Sequence, residues 1–190
     1  AEILENDIPG RASEATDVYK ALANTGETDF MADAYAGIAR TSQSDSERIE
    51  YARKARNNGG IGADQAEEMQ LVEALAMLRS GNTEEALDML SSLAANPAGI
   101  AGAKAAVELG QYYIDNKDFT NAEKVLLEFT EAGTPHEFQL ARGFILLADA
   151  YKGQGKAYLA KEYLQSLREN YPGNEPEILN AIKSRLNALK

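Results

Sequence analysis

The chain repeats itself. When Arg48, Ala86, Ala122 and Ala160 are placed at one position, with steps of 38, 36 and 38 residues, three further columns fall into line. Ala36, Ala74, Gly110 and Ala148 are all small. Ala39, Met77, Tyr113 and Tyr151 are apolar or aromatic, and Ala52, Leu90, Leu126 and Leu164 are apolar. A period of this length marks one supersecondary unit used several times, because a single unit cannot bury its apolar face alone and its neighbours must supply the rest.

Each unit reads as two helices joined by a tight turn. Met69, Val72, Ala76 and Met77 recur at helical spacing before Arg79, Ser80 and Gly81; Ala86, Leu87, Leu90 and Leu93 recur after it. Gly81 stops one helix and Asn82 opens the next. Ser44 with Glu47, Asn82 with Glu85, and Thr134 with Glu137 each pair a capping residue with a carboxylate three positions on, the pattern of a capping box. No stretch alternates apolar and polar residues between hairpin turns, so the expected class is all-α.

Composition then narrows the chemistry. With no Cys, thiol nucleophiles, thiolate metal sites and disulfides are excluded, and a single His excludes a His-rich metal site. Thirty acidic against 19 basic residues leave a net charge of −11, which opposes a phosphate backbone, so nucleic acid is not an expected partner. No apolar run approaches a membrane span, and insertion of this segment into a membrane is not expected. Candidate catalytic features have simpler explanations. In Thr134–Pro135–His136–Glu137, Thr134 reads as a cap, Pro135 as a first-turn residue and His136 as an exposed first-turn side chain rather than a general base. The Gly-rich stretch 57–62 follows a helix and continues as Ala63–Asp64, so it reads as a turn rather than a phosphate loop. Glu67–Glu68, Glu84–Glu85 with Asp88, and Glu123 with Glu128 and Glu131 are spread along helices, as on solvated faces. The expected work is non-catalytic and needs no cofactor or metal.

Leu109–Gly110–Gln111–Tyr112–Tyr113 followed by Ala122, and Leu147–Ala148–Asp149–Ala150–Tyr151 followed by Gly155, Ala160, Leu164 and Tyr171–Pro172, resemble the tetratricopeptide repeat family over roughly residues 10 to 173. The sequence departs from that pattern at Arg48, where a small residue is expected, and at Gln43 and Lys117, where Gly is commoner. The resemblance implies a right-handed α-α superhelix of about five helical hairpins and a C-terminal capping helix in one continuous domain. Its parts would be a partial repeat at 10–27, repeats at 28–62, 63–98, 99–134 and 135–173, and a capping helix at 174–190.

In this family the first helix of each unit lines the concave side. The resemblance thereby places Phe30, Asp33 and Arg40, then Glu68, Leu71, Leu75 and Arg79, then Lys104, Val107, Gln111 and Asp115, then Arg142, Ile145, Asp149 and Lys152 on or near that face. Apolar residues among charges of both signs suit a peptide or helix of a protein partner, although the apolar ones could equally pack against the next repeat. The clamp by which chaperone-type members hold a C-terminal carboxylate is not implied, because Leu71 and Leu75 stand where its polar residues would be. The expected function is therefore a protein-binding module or scaffold. A structural spacer without a partner is the alternative, followed by an enzyme accessory region.

The ends differ. Ile178, Ile182, Leu186 and Leu189 share one face of a helix expected over 174–190, with acids at its start and Lys183, Arg185 and Lys190 toward its end. Residues 10–15 suit a turn and the second helix of a unit, while Ala1 to Pro9 are too few for a full first helix. The start at Ala1 rather than Met leads us to expect a segment of a longer protein, with Val18 and Leu22 exposed or covered by another molecule, including a second copy. The 36–38 residue period and the Tyr171–Pro172–Gly173 ending are similar to repeats of bacterial envelope proteins, which implies a periplasmic or envelope location, with the cytoplasm as the alternative.

Overall fold

The structure, a computed structural model, describes residues 11–26 and 28–189, and the side chains of all of these except 28 and 29. The reading of Ala1 to Pro9 lies outside the described residues. Within them the chain forms ten helices and no strand: α1 (Ala12–Ala23), α2 (Thr28–Thr41), α3 (Asp45–Asn57), α4 (Ala63–Arg79), α5 (Thr83–Ala94), α6 (Ile100–Asp115), α7 (Phe119–Ala132), α8 (Glu137–Gly153), α9 (Ala157–Asn170) and α10 (Pro176–Asn187). The all-α expectation holds, because the apolar columns recur at helical and not at strand spacing. Contacts gather these helices into two compact units, Ala1–Met89 and Leu90–Lys190.

The turn between paired helices is the most regular part of the design. In three hairpins the helix ends in the same two bonds, one spanning five residues and one spanning three. Asn82 N–H donates to the Met77 carbonyl (2.9 Å) and Gly81 N–H to Leu78 (3.2 Å); Asp118 donates to Tyr113 (2.9 Å) and Lys117 to Ile114 (2.9 Å); Lys156 donates to Tyr151 (2.8 Å) and Gly155 to Lys152 (3.0 Å). The residue at the bend takes the left-handed conformation in all three, with φ of 87° at Gly81, 59° at Lys117 and 79° at Gly155. Lys117 is the one non-Gly residue with positive φ among the described residues, and the geometry of the repeat holds it there against its own preference.

In the N-terminal unit α1 packs on α2, α2 on α3 and α3 on α4, and α2 also touches α4. The buried apolar clusters here are small-residue clusters: Ala36, Ala39, Ala52 and Ala55 with Met69, and Ala15 with Tyr19 and Ile38. Polar groups complete the interior. Thr16 Oγ1 donates to Thr41 Oγ1 (2.8 Å), which donates to the Gly37 carbonyl (2.8 Å). Glu73 of α4, 2% exposed, accepts from Arg53 Nε and from an Arg56 guanidinium nitrogen, both on α3. The α2–α3 turn departs from the repeated form. Ser44 accepts from Glu47 N–H (3.4 Å), one half of the expected capping box, but the Glu47 carboxylate accepts from Lys20 and Ser42 and the Ser44 N–H donates to Ser42 Oγ (3.1 Å), while Arg48 Nε donates to the Ser42 carbonyl (2.7 Å). Arg48 thus folds back to serve the turn at a position where Ala86, Ala122 and Ala160 are wholly buried.

In the C-terminal unit α6 packs on α7, α7 on α8, α8 on α9 and α9 on α10; α8 also lies against both α6 and α10. One apolar cluster runs through it, built on Leu126, Phe129, Leu146, Leu147, Leu164 and Ile178. Helices approach most closely at glycine. A Cβ on Gly110 would stand 2.5 Å from Leu126 Cδ2, which explains the small residue in that column. Two helix starts lie later than the sequence suggests. The helix expected from a Thr134 cap begins at Glu137, because Thr134 Oγ1 accepts from His136 N–H (3.2 Å) in a local turn and leaves His136 at the cap position. The C-terminal helix runs from Pro176 to Asn187 rather than from 174 to 190; Glu175 stands at its cap and accepts from the Tyr171 hydroxyl (2.6 Å).

Candidate protein-binding site

Most charges assigned to the first-helix face are engaged within the protein. In the N-terminal unit Arg40 of α2 pairs with Glu68 of α4 (3.6 Å), and Asp33 of α2 accepts from Gln65 of α4 (3.2 Å). Arg79 at the end of α4 holds Asp45 at the start of α3 (2.6 Å). That guanidinium keeps the Asp45 carboxyl below its ordinary range, chiefly through the hydrogen bond. Leu71 is 6% exposed and packs inside, so it offers a partner almost nothing. Phe30 is 52% exposed, Val18 is 44% exposed and Leu22 is half-buried.

The C-terminal unit uses the same device between α6, α8 and α10. Glu108 of α6 accepts from Arg142 of α8 (3.3 Å), and Asp149 of α8 is held by two guanidinium nitrogens of Arg185 of α10 (2.8 and 2.7 Å). These rungs join first-type helices side by side, and α10 takes the place a further first helix would occupy. Val107 and Ile145, like Leu71, are core residues. Gln111 donates to Asp115 one turn on (2.7 Å), while Lys104 and Lys152 are exposed and form no ion pair among the described residues. His136 is half-buried rather than solvent-facing, with Nε2 3.2 Å from the Ala98 carbonyl, which ties two inter-helix turns together.

The sequence reading names no cleft in the last unit, where the structure has one. A cavity of about 650 Å³ opens between α8 and α9, with Tyr171 and Pro172 of the following turn also on its wall. Leu140, Phe144, Tyr163 and Leu167 form most of its apolar lining, and the Phe144 and Tyr163 rings lie 6.2 Å apart at a tilt. Tyr171 is anchored by its hydrogen bond to Glu175. Burial first, then that bond and the charges of Glu175 and Glu137, push its phenol up to about 12. A signal was present in the columns. Leu140, Phe144 and Tyr163 stand 38 residues after Gly102, Ala106 and Val125, so three smaller residues of one unit are replaced by larger ones in the next. At Gly102 the backbone of Leu93 and Asn96 presses directly on α6, an approach that any side chain would block.

Residues 144–174 match the family described as Tetratricopeptide repeat. Among curated proteins none matches the chain. Among solved structures, BtubC (BKLC) from P. vanneervenii, a TPR-like helical repeat protein, is similar in fold. The two chains are 17% identical with a TM-score of 0.66, over 98% of this chain and 82% of that one. No helix among the described residues is long and apolar enough to cross a membrane. Repeats of this kind are typically non-catalytic interaction modules. Residues 144–174, which carry most of α8, all of α9 and the Tyr171–Pro172 turn, are thus similar to a tetratricopeptide repeat, in an all-helical chain whose fold is similar to that of BtubC.

Proposed function

We propose that the chain is a non-catalytic protein-interaction module that receives a segment of a partner protein on the first-helix face of its C-terminal unit. The carrying observation is the pair of rungs, Glu108 to Arg142 and Asp149 to Arg185, which fixes α6, α8 and α10 side by side before any partner arrives. A surface ordered in advance spends little entropy on binding. Lys104 and Lys152, exposed beside those rungs, supply charge that orients an arriving segment. The N-terminal unit is not assigned this role, because Arg40, Glu68, Arg79 and Asp33 are engaged with one another and with their neighbours and its first helices α2 and α4 carry no lysine like Lys104 or Lys152. That internal use of charge favours a second reading, in which the chain is a spacer that orders other parts of a longer protein.

A photoreactive residue at Gln111 or Lys152 tests the proposal in cells, with one at Lys124 on the second helix α7 as control. Capture of the same partner from the first two positions and not from the third supports it. In the purified pair, K104E/K152E weakens binding about tenfold and leaves folding stability unchanged, as expected for exposed charges at an interface rim. Equal capture from all three positions moves the site elsewhere, and no capture from any favours the spacer. For the compartment we propose the bacterial envelope, supported by the repeat period and the Tyr171–Pro172–Gly173 ending. Cell fractionation tests it, and recovery in the cytosol overturns it.

A further inference from the structure

The cleft between α8 and α9 is a second surface, separate from the rungs of α6, α8 and α10. It has the volume of a site that holds one or two side chains of a ligand, within the roughly 300–1,000 Å³ usual for such pockets. Its floor is apolar and aromatic, so it favours an anchor such as Leu, Phe or Met. Its charge has one sign. The ionisable acids on its walls are Glu137 at the start of α8 and Glu162 on α9, and neither Lys161 nor Arg168 of α9 lines it. Tyr158 hydrogen-bonds Glu162 Oε1 (2.6 Å) and so fixes that carboxylate in position without neutralising it. The cleft at the matching place one unit earlier, about 490 Å³, differs on both counts: Lys124 stands there beside Glu128, and Ala106 and Val125 replace the two rings.

We propose that this cleft docks a basic protein segment, in which an apolar anchor enters between Phe144, Tyr163 and Leu140 while flanking Lys or Arg side chains meet Glu137 and Glu162. Charge complementarity selects the occupant. An acidic rim around an apolar floor rejects an acidic segment by like-charge repulsion and desolvation. The same argument disfavours a second copy of this chain, whose net charge is −11. Cationic side chains also gain from the exposed faces of aromatic rings at such a rim.

The test uses the full chain and three short fluorescent peptides: a Phe–Leu anchor flanked by lysines, the same anchor flanked by glutamates, and lysine flanks around a Ser–Ser pair. Binding is read by anisotropy. The lysine-flanked anchor is expected to bind at least about tenfold more tightly than either control, since both anchor and charge are needed. E137K/E162K, at exposed positions that leave the apolar floor intact, reverses the preference toward the glutamate-flanked peptide. K104E/K152E leaves the lysine-flanked affinity no weaker, which separates this cleft from the first-helix face and allows either proposal to fail alone. Equal binding of the two lysine-flanked peptides, or a preference that survives E137K/E162K, overturns the proposal by showing general attraction to an acidic protein.

Discussion

The N-terminal unit, Ala1–Met89, and the C-terminal unit, Leu90–Lys190, are built from the same helical hairpin and held by different forces. In the first, Thr16, Thr41, Ser42 and Glu73 are buried polar groups and alanine dominates the apolar interior; in the second, Gln139 is the buried polar residue and Leu, Ile and Phe join the buried alanines in the core. Alanine buries little area, so at about 25 cal/mol per Å² a wall of alanines contributes far less than a wall of leucines. Directional pairs carry the difference in the N-terminal unit. In the C-terminal unit the pairs join α6, α8 and α10 at the surface while apolar packing fills the interior, and there the tetratricopeptide match and the open aromatic cleft are found.

The largest effect follows from the buried carboxylate of the N-terminal unit. R53M/R56M removes both partners of Glu73 and leaves a charge without compensation in the interior, so denaturant unfolding should show a loss of about 3–5 kcal/mol. Glu73→Gln costs less, because Arg53 and Arg56 are partly exposed and can turn to water. If the two variants lose equally, the pairs are not what orders this unit. In the C-terminal unit the corresponding test is apolar. Leu126→Ala, at a wholly buried position facing Gly110, should cost about 3 kcal/mol. That loss should be nearly independent of salt, whereas losses at Asp45 or Glu47 should shrink as salt screens the wild-type pairs.

The smallest effect carries an unusual sign. Lys117→Gly should stabilise the chain by about 0.5–1 kcal/mol, because a lysine held at φ 59° pays a left-handed cost that glycine avoids, offset in part by glycine's freer unfolded state. A destabilised K117G would mean that the turn is shaped by side-chain contacts rather than by backbone geometry.

The helices were legible because three kinds of sequence information agree: apolar columns at a steady period, glycine at the bends and carboxylates after helix caps. Gly81 and Gly155 announce their turns, and Lys117 does not, since position in the repeat and not residue type imposes its conformation. Thr134 misled for a physical reason. Its hydroxyl can serve either a helix start or a local turn, and with Pro135 following it serves the turn. The candidate binding residues were the least legible. A charge in the sequence carries no sign of whether it faces a neighbouring helix or a partner, and Arg40, Arg142 and Asp149 all found neighbours. The cleft left a trace only as residues at Leu140, Phe144 and Tyr163 that are larger than Gly102, Ala106 and Val125 of the unit before.

The contrast between the units is tested most directly by acid. Asp45 and Glu47 titrate below their ordinary range, through hydrogen bonds from Arg79 and from Lys20 then Ser42, and Glu14 does so beside Arg11; all belong to the N-terminal unit. In the C-terminal unit the depressed carboxyl is Glu175, bonded by Tyr171 before α10. A depressed folded value means that stability is fully present above the unfolded value, about 4, and is lost as pH falls through the folded value. Residue-resolved hydrogen exchange followed from neutral pH down past that range should therefore show amides of α2, α3 and α4 losing protection first, with α6 to α9 still protected. Simultaneous loss in both units, or earlier loss in α6 to α9, would contradict the assignment of charge pairs to one unit and apolar packing to the other.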